Sequence, residues 1–201
     1  MLSLSLQEFK TYQVMRAYEY SVTPEASAQD GMVSIASLSG YIVNAAHRTM
    51  IEEGYDDCLL SRCGFEIDER PHTGETITIT VNSGLNNIVT LLNRTVSITD
   101  SEGNEIGRGR IEWMMPRSQQ RSVRAENPSH LTRRYINRFH EILPDIGYST
   151  GLQIRIDMDF NGNAKTQDNF SVALKKICDS RYFFLARSGS DTLCRAMLQT
   201  A

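Results

Sequence analysis

Residues 33–54 read VSIASLSGYIVNAAHRTMIEEG, and this stretch decides the fold. Ile35, Leu38, Ile42, Ala45 and Thr49 recur at helical spacing, and Val43 and Met50 widen the apolar stripe beyond a single face. Gly54 offers a C-cap. A helix that is apolar on more than one face has to be wrapped by something, and the flanking sequence supplies strands. Upstream, residues 11–22 alternate, with Tyr12, Val14, Tyr18, Tyr20 and Val22 on one side and Arg16 interrupting the same side. Pro24 and Gln29-Asp30-Gly31 break that strand.

Downstream the chain is almost entirely β. Leu59–Ile67 is a plausible strand, and Pro71 with Gly74 makes a turn. Glu75–Val81 (ETITITV) alternates Thr with Ile or Val and is the clearest strand in the sequence. Ile88–Thr99 leads through Asp100-Ser101-Glu102-Gly103-Asn104, a hairpin loop, into Ile106–Met115. Strand, long helix, then four antiparallel strands is the hotdog architecture, a helix enclosed by one curved sheet. Residues 117–128 read as a linker, and Ser129 N-caps a second helix in which Leu131, Tyr135, Phe139 and Ile142 share a face. Strand Leu152–Ile156, a polar loop from Asp157 to Asn169, and strands Phe170–Ile177, Arg181–Arg187 and Thr192–Leu198 follow. The hairpin around RSGSD echoes TDSEGNEIG of the first half, a weak internal repeat. The reading is α+β: a complete hotdog unit over residues 1–118, then an abbreviated hotdog-like unit over 119–201 with no room for a central helix between Asn163 and Phe170.

Composition sets the outer limits. A chain of 201 residues, 40% hydrophobic and 22% charged, has an ordinary globular balance, and a net charge of -3 makes no case for nucleic acid as the main partner. No apolar run approaches the ~20 residues of a membrane span, and MLSLSLQEFK does not read as a signal peptide. Cys58, Cys63, Cys178 and Cys194 form no Cys-x-x-Cys pair and have no His cluster beside them, which argues against a zinc site. The expectation is a cytoplasmic protein with reduced thiols, no metal and no cofactor.

Three segments in order resemble the acyl-acyl carrier protein thioesterases, enzymes built from two fused hotdog units. They are SLSGYIVNAAHRTMIEEGYDD, LLSRCGFEIDERPHTGETITI and SITDSEGNEIGRGRIEWMMPRSQQRSV. The family's Arg-Pro-x-x-Gly-Glu-Thr turn matches residues 70–76, and its Trp in the strand before the linker matches Trp113. The resemblance spans about residues 10–125 and implies an acyl thioester substrate on a carrier protein or coenzyme A. The family's chemistry lies in a segment of the second unit reading roughly Asp-x-Asp-x-Asn-x-His-Val-Asn-Asn. Here Asp159 and Asn161 match its functional Asp and Asn, Asn163 stands in place of the His, and Lys165 and Thr166 replace the two Asn. Hydrolysis needs a water deprotonated near neutral pH and donors for the oxyanion. Asn can orient a water but cannot take its proton, so the resemblance implies Asp159 as base or base-orienter, Asn161 as water-positioning or oxyanion group and Asn163 as a polar partner. Asp, Asn and Gly are equally the residues of an ordinary turn.

Asn44 and His47, three apart on the long helix, form a rival substrate-binding pair; the plainer reading makes them the partly exposed polar edge of an amphipathic helix. His72 reads as a surface residue, and no Gly-x-Ser-x-Gly elbow occurs. Arg117, Arg121, Arg124, Arg133, Arg134 and Arg138 cluster with Glu126 as the only acid. Arg133, Arg134 and Arg138 are the candidate contacts for an acidic carrier protein, against a solvated helix face. An open sheet edge invites pairing, so a homodimer is expected. The rival function is a hotdog module that holds an acyl or polyketide chain or a partner protein without turnover; a dehydratase or acyltransferase is the third.

Overall fold

The computed structural model describes residues 14–55, 58–83, 91–114, 154–160, 171–178, 181–188 and 191–200, the last four segments as backbone. Strand β1 (Met15–Ser21) keeps the alternation of its sequence: Tyr18 and Tyr20 are buried, while Ala17 and Glu19 are exposed. Arg16 tolerates the inward set because its guanidinium pairs with Glu52 at 2.8 Å. A single 3-10 turn (Pro24–Ala26) then leads toward helix α1 (Ile35–Glu52).

Helix α1 begins where Ser34 Oγ accepts the Ser37 N–H at 3.0 Å. It ends at Gly54, whose φ of +86° only glycine adopts cheaply. There the Gly54 N–H donates to Ile51 O at 3.0 Å and the Tyr55 N–H to Met50 O at 2.8 Å, a Schellman closure. Fourteen of the 18 helix residues are buried, so the helix is enclosed and not merely laid on a sheet.

The enclosure is antiparallel: β2 (Leu59–Ile67), β3 (Thr76–Ser83), β4 (Leu91–Thr99) and β5 (Glu105–Met114), in spatial order β1-β3-β4-β5-β2. Cys63, Phe65, Ile67, Ile77, Ile79, Val81, Val96 and Ile98 form one buried cluster with Leu38, Ile42 and Met50 of the helix. Each such aliphatic side chain contributes about 1.5–3 kcal/mol on full burial. The result is the hotdog arrangement expected from the element order.

Four further strands extend the same sheet: β6 (Ile154–Phe160), β7 (Ser171–Cys178), β8 (Arg181–Ser188) and β9 (Asp191–Thr200). The full order is β1-β3-β4-β5-β2-β6-β9-β8-β7. The seam is β2 against β6, antiparallel, with Cys63 opposite Met158 and Phe65 opposite Ile156. Around it the topology is mirrored. The meander β3-β4-β5 with β2 beside β5 is repeated by β7-β8-β9 with β6 beside β9. By this symmetry β6 is the counterpart of β2, the strand that follows the helix.

One boundary departs from the sequence reading. The segment after Ile156 is no loop at its start, because the strand runs on through Phe160. Ile154, Ile156, Met158 and Phe160 keep period two, and the charges of Arg155, Asp157 and Asp159 fall on the intervening positions, as a strand with one polar face allows. The expected linker 117–128 and helix 129–143 lie outside the described residues. Among the described residues no helix is long and apolar enough to cross a membrane.

Candidate functional site

The sequence reading put chemistry at two places, and the structure separates them. Asn44 is on α1, fully buried, and its Oδ1 accepts the phenolic proton of Tyr20 at 2.7 Å. This corrects the partly exposed edge expected at that position: β1 curls far enough around the helix to cover it. The Tyr20 ring stacks on Tyr41 with centroids 5.0 Å apart, and the Tyr41 hydroxyl donates to Ser21 O at 3.4 Å. Beside them Tyr18 and Thr49 share a hydroxyl hydrogen bond of 3.1 Å, and the Arg48 guanidinium sits 4.3 Å above the Tyr18 ring. Burial, the largest influence on Tyr20, pushes its phenol far above the ordinary range, so it remains a donor at any working pH.

His47, one helical turn on, is half-buried and stacks on Trp113 of β5, with centroids 5.2 Å apart and planes at 27°. Asn44 and His47 thus lie on neighbouring positions of the helix, as the i, i+3 spacing implies. Their neighbours come from opposite sides, β1 for Asn44 and β5 for His47.

Asp159 is elsewhere. It lies in β6 opposite Arg62 of β2 and opposite Arg195 of β9. Position 62 alternates with Cys63, Phe65 and Ile67, the buried positions of β2, so residue 159 belongs to the sheet face turned away from α1. The structure therefore does not bring Asp159 together with Asn44 and His47. On that outer face a hollow of about 510 Å³ opens over Gly64, between Asn82, Thr95, Ser97, Arg108 and Arg110. Gly64 is itself opposite Asp157 of β6. Two of its arginines are held by cross-strand contacts: Arg108 pairs with Glu66 at 3.0 Å, and the Arg110 guanidinium donates to Asn93 Oδ1 at 3.1 Å. Asn161, Asn163, Arg133, Arg134 and Arg138 lie outside the described residues.

The matched turn at residues 70–76 is structural in its visible contacts. Arg70 is buried; its Nη1 donates to Val33 O at 3.2 Å and its Nη2 pairs with Asp30. The Val33 N–H donates to Pro71 O at 2.8 Å, and the Thr73 hydroxyl to Gly31 O at 2.9 Å. Gly74 takes φ +91° and Glu75 accepts the His72 N–H at 2.8 Å. His72 itself is exposed, as expected. The turn holds down the loop that delivers the chain to the N-terminus of α1.

Sequence reasoning missed a buried ion pair. Arg94, inward on β4 and fully buried, pairs with Glu53 at the C-cap of α1, and Glu53 also accepts the Ser83 hydroxyl at 2.9 Å. A lone Arg in the apolar alternation Leu92-x-Arg94-x-Val96-x-Ile98 was the available signal.

No protein-family model and no curated protein sequence matches the chain. Solved structures do. The acyl-ACP thioesterase of Bacteroides thetaiotaomicron superposes with a TM-score of 0.70 at 16% identity, covering 93% of this chain and 98% of that one. The 12:0-ACP thioesterase of Umbellularia californica superposes with a TM-score of 0.68 at 11% identity, over 93% and 97% of the two chains. Along almost its whole length, this chain has the hotdog fold of those acyl-ACP thioesterases.

Proposed function

We propose that the protein hydrolyses an acyl thioester carried by an acyl carrier protein or coenzyme A. The observation that carries this reading is the whole-length correspondence with two acyl-ACP thioesterases, in which nearly all of each chain is used. The mirrored strand order supports two hotdog units, a complete one over residues 1–118 and an abbreviated one over 119–201. In this reading Asn44 and His47 bind the substrate, and Arg133, Arg134 and Arg138 meet the carrier. The protein works as a cytoplasmic homodimer.

Asp159 keeps the role of base or base-orienter, with Asn161 and Asn163 as its polar partners. In the register, position 159 stands opposite Arg62 of β2 and Arg195 of β9. The hollow over Gly64 lies on the same sheet face as residue 159 and gives that face room for a ligand. The test is hydrolysis of acyl thioesters of graded chain length by wild type and Asp159→Ala. The variant should lose about 10²–10⁴ in rate, the usual worth of an acid–base group. No turnover at any chain length, or an unchanged rate in the variant, would overturn the assignment.

A second reading, binding without turnover, is favoured by the same register. Between two arginines, Asp159 also fits a cross-strand charge ladder, a structural role worth roughly 0.2–1 kcal/mol per pair. Tight thioester binding with no product release decides for it.

A further inference from the structure

The hollow on the outer sheet face follows the register of the strands. One wall is the cross-strand row Asn82–Thr95–Arg110, whose next member is Gly64. The other wall is the row Ser97–Arg108–Glu66, and the row Val96–Gly109–Phe65 forms the floor between them. The hollow is therefore a trench laid across β3, β4, β5 and β2, and three steps of ~4.8 Å between strands make it about 14 Å long. Gly64 leaves the first wall without a side chain at its β2 end. Gly64 is opposite Asp157 of β6, and residue 159 lies two positions further along that strand on the same face, diagonally across the gap. The charges of the lining cancel, with Arg108 and Arg110 against Glu66 and Glu105. Each guanidinium is also tied to a carboxylate, Arg108 to Glu66 at 3.0 Å and Arg110 to Glu112 at 3.3 Å. A trench with no surplus positive charge gives an anion little to hold. The amide of Asn82 and the hydroxyls of Thr95 and Ser97 suit an uncharged chain that carries both donors and acceptors.

We infer that this trench holds the pantetheine arm of the substrate, the uncharged amide-linked chain shared by coenzyme A and acyl carrier proteins. The thioester end passes the gap at Gly64 toward position 159. This rests on the acyl thioester reading and deepens it by giving the non-reacting part of the substrate a place. The arm is three amide-linked units, and three to four residue-lengths of ~3.3–3.6 Å span about 10–14 Å, which matches the trench. Contacts with such a remote part can be used to orient the reacting end.

Alkyl thioethers, which have no scissile bond, test this by binding alone. One series is built on pantetheine and the other on N-acetylcysteamine, which keeps only the thiol end of the arm, with matched alkyl chains of graded length. Affinities are measured calorimetrically for wild type, Gly64→Thr and the double variant Thr95→Val/Ser97→Ala, alongside thermal unfolding. Threonine suits an outward strand position and closes the gap, and the double variant removes two hydroxyls while keeping the strand. Wild type should prefer the full arm by about tenfold, the worth of one or two well-placed hydrogen bonds. Both variants should bind the two series equally. The double variant decides if Gly64→Thr does not fold. The matching coenzyme A thioether tells the two sources of the arm apart: affinity added by its nucleotide points to coenzyme A, and none added points to a carrier protein. If wild type binds the two series equally, or a folded variant keeps the preference, the arm lies elsewhere and the inference fails alone. If wild type binds neither series at any chain length, the thioester reading fails and the inference falls with it.

Discussion

Single residues carry unequal weight here, and Arg94 carries more than its place in a strand suggests. An acid at the C-terminal end of a helix opposes the helix dipole. Glu53 is tolerated there because Arg94 lies beneath it. Removing one partner of a buried pair leaves the other uncompensated, so Arg94→Met should cost about 3–5 kcal/mol in urea unfolding. Adding Glu53→Gln should recover part of that; a double variant as unstable as the single would refute the explanation. Asp30 gives a pH signature. Burial alone would raise its pKa, but the Met32 N–H at 3.0 Å and the Arg70 guanidinium outweigh it and hold the carboxyl below its usual 3.8. A carboxyl depressed in the folded state adds stability that is complete above the unfolded pKa and is lost as pH falls through the folded one. Asp30→Asn should lower Tm at neutral pH and shrink the further drop on acidification below the usual carboxylate range. An unchanged acid slope would count against this pair. The Asp30–Arg70 contact was not legible from sequence, since the two residues are 40 positions apart and nothing local pairs them.

At the scale of elements, α1 was legible by its helical spacing, β3 by its strict alternation, and β4–β5 by the Asp100–Asn104 hairpin loop between two strand-like runs. The second half of β6 was not, since Asp157 and Asp159 next to Asn161, Gly162 and Asn163 mimic a turn. The ladders to β2 and β9 show that Met158 and Phe160 continue the alternation. Of the candidate residues, the shared helix of Asn44 and His47 was legible by spacing; that position 159 falls on the sheet face turned away from that helix was not. Strand β5 shows what close wrapping requires. A Cβ on Gly109 would lie 2.7 Å from the Gly64 carbonyl oxygen and 2.6 Å from the Phe65 ring, and one on Gly107 would lie 3.0 Å from the Glu66 carbonyl oxygen. Backbone oxygens cannot rotate aside, so Gly109→Ala has to push β5 from β2. It should cost about 1–3 kcal/mol in thermal unfolding, the usual penalty of overpacking. Gly107→Ala should cost less, and the reverse ranking would contradict this geometry.

For the whole molecule the decisive fact is that both halves share one sheet, with β2 paired on one side by β5 and on the other by β6. Pattern could not reveal this, because the paired strands are separated by some ninety residues and any polar-faced strand fits the place equally by pattern. A fragment ending at Ser118 would bare the β2 edge. Antiparallel pairing is compatible with a twofold axis, so the fragment should dimerise through β2 of each copy. Light scattering that shows a monomer at tens of micromolar would argue against β2 as the seam. The seam also bears on how the protein is made. Synthesis at about 5–20 residues per second completes β5 roughly 2–9 s before Phe160 is added. Throughout that interval the nascent first half can close around its helix while the β2 edge waits for a strand still being translated. That wait is the time in which neighbouring polysomes can cross-pair and a chaperone has something to guard, and a faster ribosome shortens it.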